Sequence, residues 1–416
     1  MAFQFLIPNL IILHNDDRLY AVEISCHTLI VGGGITGLTI ARELLKKGVE
    51  DIVIIEKENS LGTHASGRNS GVLHAGIYYS PGTYKARFCV EGNRLMKEYC
   101  RESELTVKET GKVIVADESR QDALYELKKR ADQSGAESAI IDRKQLREIE
   151  PYAAPSEKAL YSPNTAVINP KEILISIKKE LHSSGKVRFM FGTSFSGIRD
   201  STVAITNQGA IRFEKFINAA GSFADKVAHS FGIGSQYKVL PFKGTYKKLV
   251  QERSYLVRGN IYPVPDLRNP FLGVHFTRGV HEDVYIGPTA IPAFGREEYG
   301  LFDDLSFETL SILGRDILLF FANEGFRAAA MSETKKYLNK YLLSEAKKLV
   351  PEVKLEDLED TPKVGIRPQL VDWKSKELVM DFILLKDGDS IHILNAVSPA
   401  FTCSMAFARH IVKDFC

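Results

Sequence analysis

Residues Thr28–Gly48, TLIVGGGITGLTIARELLKKG, constrain this chain more than any other stretch. A β-rich run ends in three consecutive glycines, after which apolar residues recur at Leu38, Ala41, Leu44 and Leu45 until Gly48. That pattern predicts a strand, a sharp turn and a helix. Gly32, Gly34 and Gly37 stand in GxGxxG spacing. One such glycine makes the tight turn, one lets a pyrophosphate approach the backbone, and one lets helix and strand pack closely. The unpaired N–H groups at the helix start then favour negative charge. Alone, the string also describes a plain structural turn. A second strand follows, however, at Asp51–Ile55, and ends at Glu56. A carboxylate about twenty residues past the glycines is placed to accept from a ribose hydroxyl. The order of strand, glycines, helix, strand and acid predicts dinucleotide binding and leaves the dinucleotide open.

A chain of 416 residues exceeds one ordinary core, so two intertwined or adjacent domains are expected. A net charge of +2 gives no basis for a nucleic-acid partner or an acidic tail. The five cysteines, Cys26, Cys89, Cys100, Cys403 and Cys416, form no CxxC and no metal-like spacing. No metal is expected, and the odd count reads as reduced thiols in the cytoplasm. The opening MAFQFLIPNLIILHNDD is apolar but interrupted by Gln4, Pro8 and Asn9, with no early positive charge. It is too short to span a bilayer and lacks a signal peptide's basic start. An extension before the first strand is the preferred reading, a peripheral membrane contact the other.

Strands and helices then alternate without a repeat. GTHASGRNSGVLHAGIYYSPGTYK is dense in Gly and Ser, and Tyr84, Phe88, Leu95 and Tyr99 mark one face of a helix. Gly111–Ala116 reads as a strand, and the charged run from Ser119 to Gln133 as a surface helix. Asn169 and Pro170 start another helix. KFINAAGSFADKVA, Lys215–Ala228, repeats the strand, small-residue turn and helix of the opening. Val239–Gly287 is strand-like, Phe307–Leu349 helical, and the tail SIHILNAVSPAFTCSMAFARHIV offers a strand, a turn and a closing helix.

Three segments carry a resemblance: ASGRNSGVLHAGIYYSPGTYKARFCVEG, RGNIYPVPDLRNPFLGVHFTR and LNAVSPAFTCS. Together they resemble the L-2-hydroxyglutarate dehydrogenase/oxidase family, in the flavoprotein group that includes D-amino-acid oxidase. The similarity runs from about Ser25 to Val412. It implies FAD and an α/β fold, with a Rossmann-like FAD-binding domain and a second, antiparallel-sheet substrate domain. The implied cofactor domain is discontinuous, at 25–100, 155–240 and 358–416, with the substrate domain at 101–154 and 241–357 and the extension at 1–24.

By the same resemblance, Gly32, Gly34 and Gly37 cradle the pyrophosphate and Glu56 binds the ribose. Ser66, Asn69 and Ser70 reach phosphates and flavin, Gly221 forms a second turn, and Ser398, Pro399 and Ala400 form the turn beside the flavin ring. The implied reaction oxidises an L-2-hydroxy acid, L-2-hydroxyglutarate first, to the 2-oxo acid. It needs cations for carboxylates, a base, and donors to the developing oxo group. His275 is the first candidate base, because its ordinary pKa suits that work; the alternative is a structural histidine. His74 orients the flavin, acts on substrate or, the least favoured reading, bonds covalently to FAD. Arg367 resembles the arginine that holds substrate carboxylate in related oxidases. Tyr262 is a candidate donor to substrate. Lys243 and Arg278 are candidates for a distal carboxylate, with a surface position the favoured alternative. KGTY and GIRPQ depart from the family pattern near substrate. The rivals are a glycerol-3-phosphate or amine/amino-acid oxidoreductase of the same fold, and a flavin-binding protein without turnover. Oxygen, a quinone or a carrier flavoprotein would take the electrons. The cytoplasm, with or without contact to the inner membrane, is the expected location.

Overall fold

The computed structural model describes residues 22–265, 272–300, 307–336 and 338–415. Nearly all of the predicted N-terminal extension, and Cys416, lie outside them. β1 (Val22–Val31) leads through Gly32–Gly34 into α1 (Ile35–Lys46) and on to β2 (Ile52–Ile55). β1 pairs in parallel with β2, Thr28 opposite Ile52 and Val31 opposite Ile55, and on its other side with the strand Gly209–Asn218. All four residues of β2 are buried, as expected of a parallel strand covered on both faces. Val187–Met190 extends the sheet beyond β2, and Ser390–Leu394 joins Gly209–Asn218.

The apolar face of α1, through Ile35, Leu38, Ala41 and Leu44, shares one core with Phe88, Cys89 and Met96 of the helix Tyr84–Glu102. Cys403, Ala406 and Phe407 of the closing helix Ala400–Phe415 complete it. Burial of each large aliphatic side chain there stabilises the fold by about 1.5–3 kcal/mol. This core fixes the start of α1 against the turn that precedes the closing helix.

The second sheet carries the site's other wall. Its strands include β3 (Lys112–Val115), β4 (Tyr237–Leu249), β5 (Asn260–Pro263), β6 (His275–Arg278) and β7 (Leu358–Asp372). From one edge the order runs Glu377–Leu378, β7, β4, Val284–Gly287, β6, β5, β3, Lys158–Ser162 and Ala139–Asp142. Pairing is antiparallel except between β3 and β5, which run parallel. Lys158–Ser162 pairs with β3, and β7 with β4. β4 and β7 pair from Tyr237 opposite Asp372 to Leu249 opposite Leu358.

The predicted helical stretch is three helices, of which α2 (Phe307–Ala322) turns Ile312 and Leu319 inward. Phe307, Leu310, Ile317, Leu318 and Phe321 of α2 are exposed, Phe307 by 96% and Phe321 by 76%. No helix among the described residues is long and apolar enough to cross a membrane.

Candidate functional site

A cavity of about 610 Å³ runs from the start of α1 to the second sheet. At its first end Gly32 has φ +112°, and a Cβ there would lie 2.4 Å from the carbonyl oxygen of Ala219. A Cβ on Gly37 would lie 2.1 Å from the Gly32 oxygen. Two of the glycines are thus required by close backbone approach. Gly34 differs: its Cβ would meet only Ser66, the hydroxyl oxygen 2.9 Å away. Gly34 is the N-cap of α1 and offers no side-chain cap, so the Ile35 N–H donates instead to Ser66 Oγ at 3.0 Å. Gly221, at φ +55°, opens onto free space.

Glu56 directly follows β2, with its carboxylate in the cavity wall. Oε2 accepts from the Gly33 N–H at 2.9 Å and Oε1 from the Glu58 N–H at 3.0 Å. Each oxygen keeps a lone pair for a hydroxyl donor. Asn69 lines the cavity but spends its amide on the loop, donating to the carbonyls of Ala65 and Ser66 at 3.1 and 2.9 Å. Its Oδ1 accepts from the Gly71 N–H at 2.9 Å, and Ser70 Oγ accepts from the Val72 N–H at 3.4 Å. Both side chains shape the loop they sit on.

The other end gathers His275, Tyr262, His74, Arg367 and the turn Ser398–Ala400, all in the wall of the same cavity. His275 Nδ1 lies 2.9 Å from the Gly273 carbonyl oxygen. A carbonyl only accepts, so Nδ1 carries the proton and Nε2 is left as the lone-pair nitrogen. Burial pushes the imidazole down to about 3, opposed by that hydrogen bond and helped by the Lys112 charge. His275 is therefore neutral at pH 7. His74 is also held well below its ordinary value, by burial first and then by Lys112, His275 and Arg367. Its Nδ1 has no hydrogen-bond partner and its Nε2 lies 3.5 Å from Ser398 Oγ. Arg367 donates from Nε to Gln369 Oε1 at 3.2 Å, and burial lowers its guanidinium to about 10, still a cation at pH 7.

Lys243 and Arg278 are not brought to the cavity. Lys243 is buried, neither at substrate nor on the surface, with Nζ 3.3 Å from Glu298 Oε1. Arg278 donates to Glu282 Oε2 at 2.6 Å and to the carbonyls of Ser254 and Val257. Sequence reasoning missed Gly33, Tyr246 and Thr402. Phe242, Gly244 and Tyr246 line the cavity from one face of β4. Period-two alternation would have found Tyr246 and turned Lys243 away. Thr402 Oγ1 accepts from the His74 N–H at 3.1 Å, tying the closing helix to the loop. No local pattern announces that contact. Near the cavity mouth, His64 Nε2 lies 2.9 Å from both Glu58 and Glu297, and Lys57 Nζ pairs with the same two carboxylates. The Lys57 ammonium already offsets one of the two carboxylate charges.

A family model described as FAD dependent oxidoreductase matches residues 27–413. The human protein named L-2-hydroxyglutarate dehydrogenase, mitochondrial, is 34% identical, over 93% of this chain and 88% of its own. An L-2-hydroxyglutarate dehydrogenase of Indibacter alkaliphilus is 34% identical, over 92% of this chain and 97% of its own. Among solved structures, L-alpha-glycerophosphate oxidase of Mycoplasma pneumoniae with FAD bound superposes with TM-score 0.74 at 21% identity, covering 94% of each chain. Glycine oxidase of Geobacillus kaustophilus gives TM-score 0.69 at 20% identity, again over 94% of each. At those identities the two structures speak for the fold.

Proposed function

The chain belongs to the L-2-hydroxyglutarate dehydrogenase family of FAD-dependent oxidoreductases, and from that membership we propose that it oxidises L-2-hydroxyglutarate to 2-oxoglutarate. The observation that carries the reading is one cavity joining a dinucleotide cradle to a neutral histidine and a buried arginine. Choice of acid rests on the relatives' identity over nearly the whole chain.

The cradle fits FAD. Gly32 and Gly37 admit close backbone packing, Gly34 leaves the start of α1 bare toward the cavity, and Glu56 offers acceptors for a ribose. Bound flavin supplies the two-electron acceptor for the hydride on C2. The Arg367 guanidinium fixes a substrate carboxylate, with two parallel donors where a lysine has one point charge. His275 Nε2 then takes the hydroxyl proton as C2 gives up its hydride, leaving the 2-oxo acid. Burial keeps the imidazole unprotonated until then. An arriving carboxylate raises its proton affinity, since a nearby negative charge favours the imidazolium. Tyr262 holds the ring plane by stacking, and Gly273 holds the tautomer.

FAD is held without a covalent bond in this reading; acid precipitation that left flavin on the protein would point instead to His74. The four described cysteines are free thiols, in keeping with work in the cytoplasm. The exposed apolar stripe on α2 supports a peripheral membrane contact, to be tested by sedimentation with vesicles. Oxygen uptake, quinone reduction and reduction of a carrier flavoprotein distinguish the three electron acceptors. The substrate reading is tested with an artificial acceptor by measuring 2-oxo acid formed from L-2-hydroxyglutarate, beside parallel assays with glycerol 3-phosphate and L-amino acids. 2-Oxoglutarate as the dominant product supports it. Preference for either rival substrate overturns it.

A further inference from the structure

Lys112, the first residue of β3, is 1% exposed, and its Nζ is sealed from solvent with no hydrogen-bond partner. A buried ammonium without a partner is costly, and an apolar side chain of similar length would fill the space without that cost. Its place follows from strand register. Val113 lies opposite Ile261, and Ile261 opposite Phe276, so alternation puts Lys112, Tyr262 and His275 on one face of three adjacent strands. β5 lies between the other two. Lys112 Nζ sits 4.7 Å from the Tyr262 ring centroid and 4.6 Å from that of Tyr78. The His275 ring stacks on Tyr262 from the β6 side, centroids 3.8 Å apart.

We propose that Lys112 is a positioning residue for the reaction: its ammonium, against one side of the Tyr262 ring, sets the charge state of the His275 imidazole stacked on the other. The proposal rests on the reading of His275 as the base. Two positive charges one ring apart in an apolar surround repel, so the pair holds one proton far more readily than two. His275 is faced by Tyr262, Lys112 and His74; Lys112 is faced by Tyr78, Tyr262, His74 and Cys89. No carboxylate is among the groups acting on either side chain. Burial brings Lys112 down to about 7, so it divides between charged and neutral forms under ordinary conditions. Its charge adds to burial in keeping His275 neutral before substrate arrives. Once His275 has taken the substrate proton, the Lys112 charge disfavours keeping it there.

The test compares Lys112→Met with wild-type holoenzyme. The limiting rate of flavin bleaching by saturating L-2-hydroxyglutarate is followed against pH, so that its acidic limb reports the base in the complex. Loss of the ammonium should move that limb up by about one pH unit. FAD content and Tm should hold or rise, and Lys112→Arg should leave the limb in place. An unmoved limb in Lys112→Met overturns the proposal. If Lys112→Met loses FAD, Lys112→Gln is read the same way, and loss of FAD in both assigns Lys112 a structural role and overturns the proposal. His275→Asn separates the two readings. Wild-type bleaching in that variant defeats the base assignment itself, whereas an inactive His275→Asn beside an unmoved limb defeats only the role of Lys112.

Discussion

The His275 imidazole lies flat on the Tyr262 phenol ring, centroids 3.8 Å apart and planes 18° apart. One nitrogen is tied to the Gly273 carbonyl, so the ring presents a single lone pair. His275→Asn keeps a polar side chain of similar reach but cannot take the proton. Removing a general base lowers the rate by about 10²–10⁴-fold. The bleaching rate should fall by that amount at unchanged FAD content, measured on the same preparation.

Arg367 gives a second expectation. Arg367→Lys keeps the charge and loses the fork, and hydrogen bonds to charged groups contribute about 1.5–3 kcal/mol. At about 1.4 kcal/mol per decade, kcat/KM should drop ten- to a hundredfold with FAD content and Tm nearly intact. Loss of cofactor or an earlier melt at unchanged substrate affinity would mean that Arg367 supports the flavin or the fold instead.

The glycines of the first turn should separate fold from cofactor. In Gly37→Ala the new Cβ falls 2.1 Å from a backbone oxygen that cannot step aside, so α1 must leave its sheet. A core clash of this kind typically costs about 1–3 kcal/mol or more, read as a lowered Tm even without FAD. In Gly34→Ala the neighbour is a serine hydroxyl that can rotate, and φ is −73°, comfortable for alanine. That variant should melt like the wild-type apoprotein yet bind FAD poorly. Equal melting of the two apo variants would contradict the packing account.

Stability should also depend on pH. His275 and His392 are pushed down to about 3 and about 4 by burial, and His74 well below its ordinary value. The unfolded chain takes up protons near pH 6.5 that the folded chain refuses. Their contribution is complete above about pH 6.5 and is lost progressively as pH falls toward the folded values. Each histidine adds a slope of about 1.4 kcal/mol per pH unit in that window. Denaturant melts of the apoprotein from pH 8 to 5 should show it, and His275→Gln should make the slope shallower.

Much of the cofactor end was legible because its chemistry is local. Gly32, Gly37 and Glu56 fall within thirty residues, and backbone contacts give each a reason that spacing can express. The reactive end is assembled from β4, β5, β6, β7 and the turn before the closing helix, so nothing local reports their meeting. Lys243 and Arg278 show the limit. Charge alone made them candidates for substrate, while strand parity and nearby carboxylates send them elsewhere. Lys112 carried no sequence signal, since its meaning arises from strand register across β3, β5 and β6.

Anaerobic mixing of the purified yellow protein with L-2-hydroxyglutarate, followed by flavin absorbance and by 2-oxoglutarate formed, bears on the substrate and the chemistry at once. Complete bleaching with one 2-oxoglutarate per flavin, and none with glycerol 3-phosphate or L-amino acids, is the predicted result. Flavin that stays oxidised with L-2-hydroxyglutarate, or that bleaches with a rival substrate instead, would contradict it.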